Sequence, residues 1–380
     1  MATPTKNPFK FGGPVEGEYY FPRPALSKIV DEYLDNRINM VLVGPRRFGK
    51  TSFILDTIRR MEKRKACLLV DVFNITSHRD FLQQIARALE AKQSLTKKFA
   101  KWTRSLPRLF PKLSWKTDPS GQPTFTLQPE FFSSEKDVKE LIQDTLVGLG
   151  RLGKEVVIAI DEIQKISELQ DEGWLEATLR TQMQQARNVA FLFSGSRRSM
   201  IHDMFNSSNR PFYRAGQMME FPVLPEAFTD WIIDRFGSVA VTCQREAITE
   251  LRRLVQDTPN YIQMACFHLV AQGVSRVNAS EVKQILRTLV KQNAYAYQTI
   301  LNSLTLFQQR ALRLAAIEGE EIFSKDILRK YEISSGPALA SAINSLKQKQ
   351  LLDNEGTKRG RVVFDDPLFA IWLKAEFSKL

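Results

Sequence analysis

The sequence predicts an α/β core built on a parallel sheet with helices on both faces, followed by a helical region and a C-terminal unit of three helices and a hairpin. Two observations predict this. Short, continuous apolar runs ("MVLV", "ACLLVDVF", "VVIAI", "VAFLF") alternate with segments of helical spacing, the pattern of strands buried on both faces. After Pro225 the apolar runs give way to helical periodicity.

The elements follow in order. Residues 1–24 are rich in Pro and Gly and read as an irregular arm across the surface. A helix near Ala25–Asp35 precedes the strand Asn39–Val43, and Thr51–Lys63 is helical, with Phe53, Ile54, Ile58 and Met61 on one face. Ala66–Phe73 is a strand and Ser77–Ala91 a helix. Residues 91–130 interrupt the alternation: Ala91–Thr117 holds eight Lys and Arg with no acid, interleaved with Phe99, Trp102, Leu106, Phe110 and Trp115. A hairpin turning at Asp118–Gly121 follows. The pattern resumes with a helix at Glu135–Leu149, strands at Val156–Ile160 and Val189–Phe193, and a short strand at Met218–Phe221. Beyond Pro225, Asn278 with Glu281 three residues on marks a helix start. Helices at Leu306–Ile317, Lys325–Tyr331 and Pro337–Gln348, then a hairpin in "GTKRGRVVFDD", suggest a winged helix. The organisation reads as an arm (1–24), a core (25–223, with the basic insertion 91–130), a helical region (224–302) and a winged helix (303–380).

Composition narrows the functions. The 54 Lys and Arg against 42 Asp and Glu give a net charge of +12, which points to an anionic partner without naming it. The first residues lack the apolar stretch of a signal peptide, and no apolar run approaches the roughly 18–20 residues of a membrane helix. Cys67, Cys243 and Cys266 are scattered, without metal-ligand spacing, and read as buried thiols in a reducing cytoplasm. His78, His202 and His268 are isolated and receive no role.

The most informative stretch is "INMVLVGPRRFGKTS". Gly44–Thr51 fits G-x-x-x-x-G-K-[ST], between a buried strand and a helix. In such a loop the glycines let backbone N–H groups turn inward toward phosphate, and the helix N-terminus adds partial positive charge. Gly44, Pro45, Arg46, Arg47, Phe48, Gly49, Lys50, Thr51 and Ser52 therefore form a candidate ATP site. Lys50 would reach the terminal phosphates and Thr51 would offer a hydroxyl to Mg2+. "VVIAIDEIQ" brings Asp161 to the carboxyl end of a strand, where α/β ligands bind. Asp161 would hold Mg2+, and Glu162 would polarise the attacking water. Arg46 and Arg47 are bulky for a phosphate loop, and either bracing against carboxylates or facing a partner fits the sequence.

With these motifs in place, the chain resembles the archaeal-type ATPase family of the AAA+/STAND P-loop class. The likeness rests on "NPFKFGGPVEGEYYFPRPAL", "VLVGPRRFGKTS", "IAIDEIQ", "FLFSGSRRSM", "PFYRAGQMMEFPVLP" and "DDPLFAIWL", in that order. It implies an AAA+-like core with a helical lid and a winged helix. It also implies Ser194 or Ser196 as a polar sensor of the γ-phosphate and Arg210 or Arg214 as an arginine finger. Val15, Phe21 and Arg23 of the arm would lie near the adenine, and Pro259 and Tyr261 where the lid meets the nucleotide. Thr258 stands where the common lid pattern has glycine, and no evident lid arginine follows.

Two functions fit. One is an ATP-controlled DNA binder, with Lys97, Lys98, Lys101, Arg104 and Arg108 of the insertion, and Lys358, Arg359 and Arg361 of the wing, on phosphates. An amphipathic helix packing its aromatics on the core explains the insertion equally well. The other is a STAND-like signalling or defence switch whose winged helix clamps protein or the chain itself. The helix "PALASAINSLKQKQLL" buries Leu339, Ile343 and Leu346 and offers no arginine for guanine, which argues against direct base reading.

Overall fold

The computed structural model describes residues 6–92, 113–117, 123–127, 134–319, 322–354 and 362–377. The chain divides into two compact units, one formed by Pro22–Gly44 and Gly49–Pro222, the other by Met1–Phe21, Pro45–Phe48 and Val223–Leu380. Each is described by itself.

The first unit is built on a five-stranded parallel sheet. Its strands are β1 (Met40–Val43), β2 (Ala66–Asp71), β5 (Val156–Asp161), β6 (Val189–Gly195) and β7 (Gln217–Glu220). They lie in the order β2-β5-β6-β1-β7. Every residue of β1, β5 and β6 is buried, which explains why these strands read as unbroken apolar runs. The helices are α1 (Pro24–Asp35), α2 (Lys50–Met61), α3 (His78–Glu90), α4 (Glu135–Gly150), α5 (Trp174–Gln185) and α6 (Arg198–Asn206). Capping sets two of their starts: Ser77 and Ser134 accept hydrogen bonds from the backbone N–H of Asp80 and Asp137. Between α3 and α4, β3 (Leu113–Thr117) and β4 (Pro123–Leu127) pair antiparallel. Asp118–Gly121, where the sequence places the turn, and Lys97, Lys98, Lys101, Arg104 and Arg108 fall outside the described residues.

The second unit begins with an anchored arm. The sequence reads residues 1–24 as a surface arm, yet Phe9 is 1% exposed and packs on Phe236 at 4.8 Å between ring centroids. Asn7 Nδ2 donates to the carbonyl of Phe267 at 2.9 Å. A 3-10 turn covers Gly17–Tyr19. Helices α7 (Ala227–Gly237), α8 (Arg245–Leu254), α9 (Pro259–Ala271) and α10 (Ala279–Asn302) form the lid. This region is not purely helical as the sequence suggests. The two-residue strands β8 (Thr242–Cys243) and β9 (Arg276–Val277) pair in parallel, a ladder too short to leave a period-2 signal. Cys67 and Cys266 are buried, but Cys243 on β8 is only half-buried, since an edge of this size cannot cover both of its faces.

Helices α11 (Leu306–Glu318), α12 (Lys325–Lys330) and α13 (Gly336–Gln348), strands β10 (Leu352–Asn354) and β11 (Val362–Phe364), and α14 (Pro367–Phe377) complete the winged helix. Thr305 and Gln308 form a reciprocal capping box at the start of α11. Leu339, Ile343 and Leu346 of α13 are buried, as their spacing predicts. Lys358, Arg359 and Arg361 fall outside the described residues. No helix among the described residues is long and apolar enough to cross a membrane.

Candidate nucleotide-binding and hydrolysis site

The site grows from the carboxyl ends of three neighbouring strands. β1 runs into Gly44, whose position permits no side chain: an added Cβ would lie 2.7 Å from Phe221 Cβ. Phe221 itself is fixed by its N–H donating to the Val43 carbonyl at 2.6 Å and by an edge contact with Phe53. Gly49 caps α2 at φ 88°, a left-handed backbone that favours glycine. Lys50 opens α2, is 4% exposed, and donates from Nζ to the Gly44 carbonyl at 2.8 Å. A buried ammonium and the start of a twelve-residue helix thus meet at the end of β1, a setting suited to phosphate.

β5 delivers the carboxylates. Thr51 Oγ1 donates to Asp161 Oδ2 at 2.5 Å. Asp161 Oδ1 accepts from the Ser194 hydroxyl and, at 3.0 Å, from the Glu162 N–H. Burial raises the Asp161 carboxyl above the usual carboxylate range, opposed by the two hydroxyl donors and the charge of Lys50. Thr51 and Asp161 offer the hard oxygens that a small divalent cation takes. Mg2+ needs only one or two protein ligands beside phosphate and water, so the pair fits it without a larger cluster.

Glu162 departs from the strand with φ 59° and ψ 43°, the left-handed region that a non-glycine residue seldom occupies. Its Oε2 accepts from Ser196 Oγ at 2.8 Å and from Gln164 Nε2 at 2.5 Å. Ser194 and Ser196, offered by the sequence as alternatives, therefore each serve a different carboxylate. Gln164 and Gly195 were not singled out by the sequence, although both stand in quoted stretches ("IAIDEIQ", "FLFSGSRRSM"). A Cβ on Gly195 would lie 2.2 Å from Gln164 Oε1, so the glycine makes the room that the glutamine occupies.

The remaining residues spread out. Arg23 is buried, donates to the Pro222 carbonyl at 2.6 Å and lies 4.5 Å from the Phe221 ring centroid, two contacts from Gly44. Arg210 pairs with Glu176 at 2.5 Å and stands 3.8 Å from Asp203. Arg214, at φ 51°, lines a cleft of about 570 Å3 with Arg37, Asn39, Asn206 and Gln217. Asn39 and Gln217 mark the amino ends of β1 and β7, the end of the sheet away from Gly44. In the second unit, Phe21 packs edge-on against Phe228 and Trp231, and Val15 is half-buried. Pro259 opens α9, and the Tyr261 ring lies 5.0 Å from the Arg47 guanidinium. Arg46 stands 3.9 Å from Asp365, so of the two readings open in the sequence, bracing against a carboxylate describes it.

Residues 25–238 match a family described as an ATPase domain predominantly from Archaea. Residues 295–375 match a probable winged helix domain. No curated protein matches the chain. Among known structures, the Walker-type ATPase PABY2304 of Pyrococcus abyssi is 18% identical, with a TM-score of 0.65 over 96% of this chain and 99% of that one. The ORC2 protein of Aeropyrum pernix, in its ADPNP–ADP complexes, is 15% identical, with a TM-score of 0.52 over 93% of each chain. Likeness at these identities speaks for the fold: an AAA+-like P-loop core with a C-terminal winged helix. Because the family match covers more than half of the chain, the protein belongs to the ATPase family found predominantly in Archaea.

Proposed function

We propose that the protein is an ATP-binding and ATP-hydrolysing switch. The observation that carries this reading is the double anchoring of the acidic pair: Thr51 and Ser194 hold Asp161, and Ser196 holds Glu162, at the strand ends beside buried Lys50. In this reading Lys50 and the loop amides bind the phosphates, and Thr51 and Asp161 hold Mg2+. The ion would neutralise phosphate charge. Glu162 orients water and takes its proton, for which its position next to the metal-holding aspartate suits it. Ser194, whose hydroxyl already serves Asp161, couples the γ-phosphate region to that carboxylate. Arg210, paired with Glu176, or Arg214, at the cleft beside the amino ends of β1 and β7, is the candidate arginine finger. Arg23, through Phe221, steadies Gly44.

Coupling to DNA is the output we propose, supported by the net charge of +12 and by the winged helix. Lys50→Ala is expected to abolish ATP binding in calorimetry, and Glu162→Gln to bind ATP and retain it unhydrolysed. Wild-type affinity for ATP in Lys50→Ala would refute the site. Filter binding of duplex DNA at two salt concentrations, with ATP and with ADP, tests the output, since phosphate contacts weaken steeply with salt.

One observation favours a second reading, a signalling switch with the winged helix as an intramolecular clamp. Asp365 of that domain stands beside Arg46 of the phosphate loop, and the neighbouring Asp366 accepts from the Tyr297 hydroxyl at 3.1 Å. If the clamp is the output, Asp365→Ala speeds ADP release while DNA affinity stays negligible.

A further inference from the structure

Gln164 sits in the 3-10 turn Ile163–Glu168 that follows Glu162, and only 1% of it is exposed. Its Nε2 donates to Glu162 Oε2 at 2.5 Å and to Ser196 Oγ at 3.4 Å. Ser196 in turn donates to the same Glu162 oxygen at 2.8 Å. The three side chains close a ring in which both donors converge on Oε2. Glu162 Oε1 accepts no hydrogen bond from the described residues.

The other end of the amide is not satisfied. Gln164 Oε1 is buried without a hydrogen-bond partner among the described residues. Its surroundings include the Gly195 backbone and the Ile201 side chain, which would also crowd a Cβ on Gly195, at 2.5 Å. An orphaned buried carbonyl loses its hydration without a compensating hydrogen bond and so destabilises the fold. A methionine or leucine of similar volume would fill the place without that cost. A purely structural role therefore does not account for an amide here, whereas its N–H contact with Glu162 does.

We propose that Gln164 is a positioning residue that, with Ser196, fixes the rotamer of Glu162 so that Oε1 faces the attacking water. The inference rests on the hydrolytic reading above. The left-handed backbone at Glu162 makes such support necessary, because a side chain leaving a strained turn is not held by strand neighbours. Small misplacements of a general base are costly, since a shift of about 1 Å can slow turnover about a hundredfold.

The test is a double-mutant cycle on the full chain, with Gln164→Met, Glu162→Gln and the combination. ATP affinity is measured by calorimetry and hydrolysis by single turnover with excess protein. Gln164→Met is expected to keep ATP affinity within about twofold and to slow single turnover about ten- to a hundredfold. In the Glu162→Gln background the same substitution is expected to change the residual rate less than about twofold, because the group it positions is gone. Should Gln164→Met not fold, Gln164→Asn, whose shorter amide cannot reach Glu162, takes its place and is expected to give the same cycle. A wild-type rate in Gln164→Met, or an equal loss in both backgrounds, overturns the inference while leaving the hydrolytic reading intact. A wild-type rate in Glu162→Gln alone overturns that reading.

Discussion

Glu176 offers a stability test worked from its surroundings. It lies on α5 at 1% exposure, with Oε1 bonded to Arg210 and Oε2 buried without a partner among the described residues. Burial pushes its carboxyl up to about 7 from the ordinary 4.5; the Arg210 guanidinium offsets only part of this, and the charges of Asp171 and Asp203 add to it. The folded state therefore holds a proton that the unfolded chain releases, and stability from this group falls as pH rises through the window from 4.5 to about 7. That window spans about 2.5 pH units, and at about 1.4 kcal/mol per unit the loss is about 3 kcal/mol. Glu176→Gln removes the titration. The variant is expected to exceed wild type by about 1 kcal/mol or less at pH 5 and by up to about 3 kcal/mol at pH 8. Urea unfolding at pH 5, 6, 7 and 8 reads the difference. Parallel stability profiles for variant and wild type across this range would refute the reasoning.

Three further outcomes are expected. Asp161→Asn should raise the melting temperature of the nucleotide-free protein at pH 8, because it removes a charge that burial disfavours, while abolishing the Mg2+-dependent stabilisation by ATP in the same thermal scan. Gly44→Ala must displace Phe221 from a 2.7 Å approach; overpacking of this kind costs about 1–3 kcal/mol, and weakened ATP binding in calorimetry should accompany the lower melting point. Phe9→Ala removes a buried ring from the lid core and should cost about 3 kcal/mol in urea unfolding, showing that the arm is part of that core.

Much of the fold was legible in the sequence because its signals are local. Strands β1, β5 and β6 are buried on both faces, so each is an apolar run that ends where its polar residues begin. The phosphate loop and Asp161–Glu162 follow from spacing and from the strand ends. Asn278 caps α10 through the N–H groups of Ser280 and Glu281, as its spacing with Glu281 indicates. What stayed hidden depends on residues far apart in the chain. Nothing in "FLFSGS" reveals that Ser194 and Ser196 serve different carboxylates, since that needs β5 beside β6. His78, given no role, bonds Asp171 at 2.8 Å and also Glu135, partners 93 and 57 positions away. Nor does any local signal reveal that Arg210 pairs with Glu176, 34 positions away. Phe9 looks like arm decoration until Phe236 appears beneath it.

The register between β5 and β6, with Ile160 opposite Phe193, sets which hydroxyl meets which acid. A slip by one position would bring Gly195 toward Asp161 and turn both serines to the opposite face, leaving each carboxylate without its serine donor. A mispaired sheet could still bury its apolar residues and stay compact, but it would be inert toward nucleotide. Specific activity per folded molecule thus reports strand alignment, and a refolded preparation that is compact yet inactive points first to this seam.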